Sequence, residues 1–249
     1  SSVAEEKKVA LVTGASRGIG EAIARSLAAD GFTVVGTATS DRGAEAISSY
    51  LAEENNLGCG IKLNVADQDS VTMSVKAIAE QFEPPLVLVN NAGITRDNIL
   101  MRMKEAEWQD VMDTNLSGLY RVSKACLRGM TKARWGRIVN ITSVVGSMGN
   151  IGQSNYAATK AGAEGFSRAL VRELGSRSVT VNCVAPGFID TDMTRDLPEA
   201  QRNLLLQQIP LGRLGSTAEI AALVSFLCSD MASYITGETV HINGGMHMG

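Results

Sequence analysis

Tyr156 and Lys160 stand four residues apart, a spacing that puts both side chains on one face of a helix. Ser143 lies thirteen residues before the tyrosine, at the end of the β-branched run Arg137–Thr142. A phenol, an ammonium and a hydroxyl suit the reduction of a carbonyl, which needs hydride on carbon and a proton on oxygen. A free tyrosine has a pKa near 10 and matches neutral pH poorly. A neighbouring ammonium favours the phenolate and is expected to bring that pKa down. A fall of about 3 units corresponds to roughly 4 kcal/mol. Ser143 is placed to donate a hydrogen bond to the substrate oxygen and hold it near the phenol. A second Tyr-x3-Lys pair, Tyr120 and Lys124, lies inside the long helical pattern Glu105–Met130, and Glu107, thirteen before it, marks no strand end. That pair reads as helix-surface packing, and Tyr156 as the acid.

A hydride donor has its own signature. Thr13-Gly14-Ala15-Ser16-Arg17-Gly18-Ile19-Gly20 follows the apolar run Val9–Thr13 and opens a helical pattern. Glycines there allow a tight strand-to-helix turn and let the backbone approach a pyrophosphate, which meets the free N–H groups of the helix start. The spacing G-x3-G-x-G differs from the common G-x-G-x-x-G, and a plain glycine turn is the alternative. An NAD site usually ends its second strand with an acidic residue on the ribose 2′-hydroxyl. Here that stretch reads Gly36-Thr37-Ala38-Thr39-Ser40, with no acid until Asp41, itself read as a helix N-cap. Arg17 sits in the turn and Arg42 follows the second strand. A 2′-phosphate needs cationic and hydroxyl donors, so the expected cofactor is NADPH, with Arg17 and Thr39 nearest the phosphate. Asn90-Asn91-Ala92-Gly93 closes the fourth β-like run, where small residues let a dinucleotide lie across the sheet edge.

These residues need a scaffold. Strand patterns fall at Val9–Thr13, Thr33–Thr37, Gly60–Val65, Leu86–Asn90, Arg137–Thr142, Thr180–Val184 and Thr239–Ile242. Helical spacing marks Ile19–Ala29, Ala44–Glu54, Ser70–Phe82, Glu105–Met130, Ala157–Leu174 and Ala218–Leu227. Strict alternation predicts an α/β fold: a single Rossmann-like, doubly wound parallel sheet of about seven strands with helices on both faces. No linker, repeat or like-charge block divides residues 1–249, so one domain is expected. The region Gly187–Leu214 reads as one long irregular stretch, a lid over a site.

Composition narrows the classes further. Of 249 residues, 45% are hydrophobic and 20% charged, which excludes a disordered chain. A net charge of −3 argues against nucleic-acid binding. The four cysteines, Cys59, Cys126, Cys183 and Cys228, form no CxxC pair. They read as free thiols in a reducing cytoplasm, with no metal site. The apolar run Ile220–Cys228 is too short to span a bilayer, and the opening SSVAEEKK lacks the apolar core of a signal peptide. With no initiating Met, Ser1 and Ser2 are read as either native or residual sequence.

Taken together the motifs resemble the short-chain dehydrogenase/reductase family almost from end to end. The family's glycine turn is matched by TGASRGIG, its NNAG by Asn90–Gly93, and its Ser, Tyr and Lys by Ser143, Tyr156 and Lys160. Its fourth catalytic residue is matched by Asn115 in DTNLSG. The resemblance implies that Asn115 helps hold a water in a proton relay through the lysine and ribose hydroxyls. Within the family, NNAGITRDNILMRM, SVVGSMGNIGQSNYAATKAG, VAPGFIDTDMT and YITGETVHINGGM resemble the bacterial reductases that act on 3-oxoacyl groups carried by acyl carrier protein. This implies NADPH-dependent formation of a (3R)-hydroxyacyl thioester in fatty-acid biosynthesis, in a cytoplasmic homotetramer joined through Glu105–Met130 and Ala157–Leu174. It also implies that Asn64 and Val65 line an adenine pocket, that Asn91 approaches the cofactor, and that Ile189 touches the nicotinamide end. One departure is Pro84-Pro85-Leu86-Val87, where many members carry an Asp, which is expected to alter the start of the fourth strand.

An acidic carrier would be steered by a basic patch at the mouth of the site. Arg134 and Arg177 are the candidates, with Lys132 and Arg137 near the first; solvated surface charge is the equal alternative. Two other functions stay open. One is reduction of 3-oxoacyl-CoA or another small ketone or alcohol. The other, from a different class, is a dinucleotide-binding regulatory protein without turnover, which intact Ser143, Tyr156, Lys160 and Asn115 count against.

Overall fold

The computed structural model describes residues 6–249; the opening residues 1–5, including Ser1 and Ser2, lie outside it. The chain alternates strand and helix as the periodicity predicts. β1 (Val9–Val12) leads to α1 (Gly18–Ala29), β2 (Thr33–Ala38) to α2 (Asp41–Glu53), and β3 (Cys59–Lys62) to α3 (Gln68–Gln81). β4 (Val87–Asn90) is followed by α4 (Glu105–Val111) and α5 (Gly118–Ala133). β5 (Gly136–Ile141) is followed by α6 (Val144–Met148) and α7 (Ser154–Leu174). β6 (Val179–Pro186) gives way to α8 (Asp192–Arg195), α9 (Glu199–Gln207) and α10 (Thr217–Cys228), and β7 (Thr239–Ile242) ends the sheet.

Among the described residues the seven strands form one sheet in the order β3-β2-β1-β4-β5-β6-β7, every neighbouring pair parallel. The winding reverses between β1 and β4. Open α/β sheets bind ligands at such a switch point, beyond the carboxyl ends of the strands. Both faces are covered, which explains the unbroken apolar strands. On β1, Ala10 and Val12 pack with Ile23 and Leu27 of α1, Ile47 of α2, and Ile220 and Val224 of α10. Val9 and Leu11 pack on the other side with Val71 and Val75 of α3, Val122 and Met130 of α5, and Leu170 of α7. A hydroxyl pair, Ser26 and Ser225, 2.7 Å apart, joins α1 to α10, which accounts for the one polar break in that apolar run.

Several expectations shift in detail. The helical pattern Glu105–Met130 contains a widened π-helical turn at Met112–Ser117, between α4 and α5. The stretch Gly187–Leu214 is not wholly irregular: it carries α8 and α9, the first capped by Thr191 and Thr194 and the second opening after Pro198. Ser40, not Asp41, caps α2, accepting from the Gly43 N–H; Asp41 is the first helical residue. β4 starts at Val87, because Pro84 and Pro85 have no N–H to give a ladder; the first bond is from Leu86 N to Val9 O at 3.0 Å. All four cysteines are free, three of them buried and Cys59 half-buried. No helix among the described residues is long and apolar enough to cross a membrane.

Candidate active site

The glycine turn supplies the floor. Gly14 and Gly18 both adopt positive φ, +64° and +57°, which favours glycine. Gly20 is required for a different reason: a methyl group there would fall 1.9 Å from the Gly14 carbonyl oxygen. Arg17 precedes α1 in extended conformation and its side chain makes no cap, so the first N–H groups of α1 face outward unblocked by it. The Asn91 amide donates to the Gly14 carbonyl at 2.9 Å, and Thr13 Oγ1 accepts from the N–H groups of Asn91 and Ala92, both at 3.0 Å. The loops after β1 and β4 are thus locked together at the switch point.

A groove runs along this carboxyl edge. It is lined by Gly14, Ser16, Arg17, Gly18, Ile19 and Gly20, by Thr39 after β2, by Asn64 and Val65 after β3, and by Asn91, Ala92 and Gly93 after β4. Twelve of the expected cofactor residues therefore converge on one surface. Ala15 does not: it is fully buried, with its N–H bonded to Thr37 O and its carbonyl accepting from the Tyr50 hydroxyl at 2.7 Å. Ile189 is also drawn into the core, where it packs with Ile220 and Val184. In its place Thr191, Asp192 and Met193 line the groove, together with Thr37, Leu63 and Thr114. Leu63 and Thr37 were legible as strand-end positions; the approach of α8 was hidden in a stretch read as loop.

The groove ends at Gly93, and the reactive set begins there. A side chain starting at Gly93 would lie 3.4 Å from Asn115 Oδ1 and 3.7 Å from Lys160 Nζ. Asn115 occupies the π-helical turn. Its Oδ1 accepts from Ile94 N at 2.8 Å and its Nδ2 donates to Ile94 O at 2.9 Å. Those two bonds engage the amide in place and explain the widened turn, a device often found at functional sites. Lys160 is buried and donates to Ile141 O at 3.1 Å. Its ammonium lies 5.2 Å from the centre of the Tyr156 ring. Ser143 caps α6, accepting from Val145 N at 3.2 Å. α6 lies tight against α7, since a methyl on Gly146 would meet Lys160 Cβ at 2.9 Å. That packing brings Ser143 beside Tyr156. Behind them runs a buried chain of polar groups. Asn90 donates to Asn140 at 2.8 Å, and Asn140 donates to Ser167 at 2.9 Å, tying β4 through β5 to α7.

The electrostatics correct one expectation. The Tyr156 pKa is raised, not lowered: burial is the largest influence, the Ser143 hydroxyl works against it, and Asp97 adds to it. Lys160 is not among the groups that shift the phenol, and burial acts on its own ammonium too, bringing it down to about 8. Tyr120 and Lys124 behave as expected of a surface pair, the ring exposed and the ammonium 5.8 Å above it.

The proposed carrier-steering residues are elsewhere. Arg134 ends α5 just before β5, and Arg177 stands two residues before β6. Both therefore sit at the amino edge of a parallel sheet, opposite the groove within this subunit. Arg137 is no surface charge; it is buried, donates to Ser229 O and stacks on Trp135. No cluster of three metal-ligating side chains occurs among the described residues.

Comparison with known proteins covers almost the whole chain. A family model described as "Enoyl-(Acyl carrier protein) reductase" matches residues 14–247. The 3-oxoacyl-[acyl-carrier-protein] reductase of Pseudomonas aeruginosa is 65% identical over 241 residues, covering 97% of this chain and 98% of its own. The proteins of the same name from Vibrio cholerae and Escherichia coli are each 60% identical over 243 residues, covering 98% of both chains. With the glycine turn, the NNAG strand end and the Ser–Tyr–Lys set on one sheet edge, the chain belongs to the short-chain dehydrogenase/reductase family.

Proposed function

We propose that this protein reduces 3-oxoacyl groups on acyl carrier protein to (3R)-3-hydroxyacyl groups with NADPH, in fatty-acid biosynthesis. The observation that carries the reading is the groove that starts at an uncapped helix N-terminus and ends at Gly93 beside Asn115 and Lys160, with the Tyr156 ring 5.2 Å from the lysine ammonium. The glycine cradle, closed to any side chain at Gly20, fits a dinucleotide pyrophosphate. The dinucleotide supplies hydride when bound. The protein does the rest. Ser143 donates to the substrate carbonyl oxygen and orients it. Tyr156 Oη delivers the proton to that oxygen. Lys160 holds a positive charge beside the phenol, and Asn115 shapes the widened turn against Gly93. Two long helical faces, α4–α5 and α7, serve a homotetramer in this reading. The segment of α8 and α9 serves as the lid, since Thr191 and Met193 already line the groove.

The substrate is tested by side-by-side kinetics on carrier-linked and CoA-linked 3-oxoacyl thioesters, following NADPH absorbance. Higher kcat/KM on the carrier-linked substrate supports the proposal. Preference for CoA favours the CoA-reductase alternative, and no turnover on either defeats both. The cofactor is tested at Arg17, which is exposed on the groove that Thr39 also lines. A charge-assisted bond is worth about 1.5–3 kcal/mol. Arg17→Ala is therefore expected to raise KM for NADPH roughly 10- to 100-fold while leaving NADH kinetics unchanged. An equal loss with both dinucleotides would refute the 2′-phosphate assignment.

A further inference from the structure

Three contacts join the loop after β4 to the residues that lead into α7. Asn98 N donates to Gly152 O at 2.9 Å, and the Gln153 amide donates to Asp97 at 3.2 Å. The third lies deepest and uses Asn155, whose side chain is 0% exposed. Its Nδ2 donates to Arg96 O at 2.9 Å and to Glu107 O at 3.2 Å, and its Oδ1 accepts from the Tyr156 N–H at 2.8 Å. An asparagine amide has two N–H donors and an acceptor oxygen, and here both donors and the oxygen are engaged, three of four possible bonds. One side chain thus grips three segments: the β4 loop, the first turn of α4 and the backbone of the proton donor itself.

We infer that Asn155 is a positioning residue, fixing the setting of Tyr156 by tying the first turn of α7 to the backbone of the β4 loop and α4. The inference rests on Tyr156 being the acid of the proposed reduction. A phenol must sit within about 3 Å of the oxygen it protonates. Tyr156 stands near the start of a helix, where a backbone can pivot unless something outside the helix holds it. The amide holds it, and its two carbonyl partners belong to the segments flanking Gly93 and Asn115. A displacement of about 1 Å at such a point can cost about 10²-fold in rate.

The test uses the full-length enzyme. Asn155→Ala is expected to lower kcat about 10²-fold with KM for NADPH within threefold. It is also expected to raise the solvent deuterium isotope effect on kcat, because proton transfer becomes slower relative to the other steps. Asn155→Asp, isosteric, keeps the acceptor toward Tyr156 but loses both donors when ionised and one when protonated, so it is expected to lower kcat as well; it keeps the side-chain volume in the case in which the alanine variant folds poorly. Asn98→Ala removes two side-chain bonds in the same region, to Arg102 O and the Glu107 carboxylate, while its backbone bond to Gly152 O stays, and is expected to keep kcat and the isotope effect. A readout independent of turnover comes from 13C NMR of labelled tyrosine ring carbons, assigned by Tyr156→Phe: the Tyr156 titration moves in Asn155→Ala and stays in Asn98→Ala. Full kcat in both Asn155 variants, or a loss of kcat with isotope effect and titration unchanged, would overturn the inference. A wild-type enzyme inert toward 3-oxoacyl thioesters would instead defeat the substrate assignment, leaving the titration to decide on Asn155.

Discussion

Tyr156→Phe is expected to lower kcat by about 10³-fold, within the usual range for loss of a general acid, while NADPH affinity stays within a few fold. The ring itself remains, so α7 keeps its packing and the groove keeps its walls; only the hydroxyl is lost. The raised pKa sharpens the prediction. A phenol lifted by burial stays protonated across neutral pH, which suits a proton donor. Reduction is therefore expected to hold through neutral pH and to fall as pH rises through the phenol pKa. The reverse oxidation needs the phenolate and is expected to rise over the same limb. Steady-state kinetics in both directions, with dinucleotide affinity from fluorescence titration, separates chemistry from binding. Turnover retained in the variant would remove Tyr156 from its role.

Much of this was legible in the residues, and the parts that were not share a cause. The seven strands were readable because both sheet faces are covered, which leaves short apolar runs such as Leu86–Val89 with little ambiguity. The glycine turn was readable because Gly14 answers to backbone conformation and Gly20 to a close approach, both local demands. The π-helical turn at Met112–Ser117 was not, because it depends on Asn115 reaching Ile94, twenty-one residues away. The places of Arg134 and Arg177 were missed for a topological reason: helices between parallel strands return the chain to the amino edge, so their last residues face away from the groove. The approach of Thr191–Met193 to the groove depends likewise on a tertiary fold-back, anchored by the pairing of Ile189 with Gly215. Proton chemistry was misread for a further reason. Spacing put Lys160 near Tyr156, but the sign of the phenol's shift depends on burial, which spacing does not report.

Burial of Lys160 leads to the second large prediction, that Lys160→Met inactivates the enzyme while making it more stable at neutral pH. The ammonium is buried on α7 with Ile141 O as its partner, and its pKa falls from 10.5 to about 8. In the unfolded chain the same group titrates near 10.4. Between those values the unfolded state binds more protons than the folded state, so stability rises with pH over that window. Below it the folded protein carries the full cost of a buried charge, about 3 kcal/mol for a shift of this size. Methionine is of similar length, apolar and adaptable, and removes that cost. Loss of the bond to Ile141 O returns about 1 kcal/mol, leaving a net gain of about 2 kcal/mol. For a chain of this size that corresponds to roughly 5 °C in Tm. The gain is expected at pH 7 and is expected to fall through zero to a loss of about 1 kcal/mol as pH rises from 8 to above 10, because the wild type then sheds the proton itself and keeps its bond to Ile141 O. Thermal melts of both proteins at pH 7 and pH 10 check the sign and the window; a variant less stable than wild type at pH 7 would contradict it. Such a result pairs with lost turnover for a physical reason: the charge that disfavours the folded state is the one placed 5.2 Å from the phenol ring, where the proton must be managed.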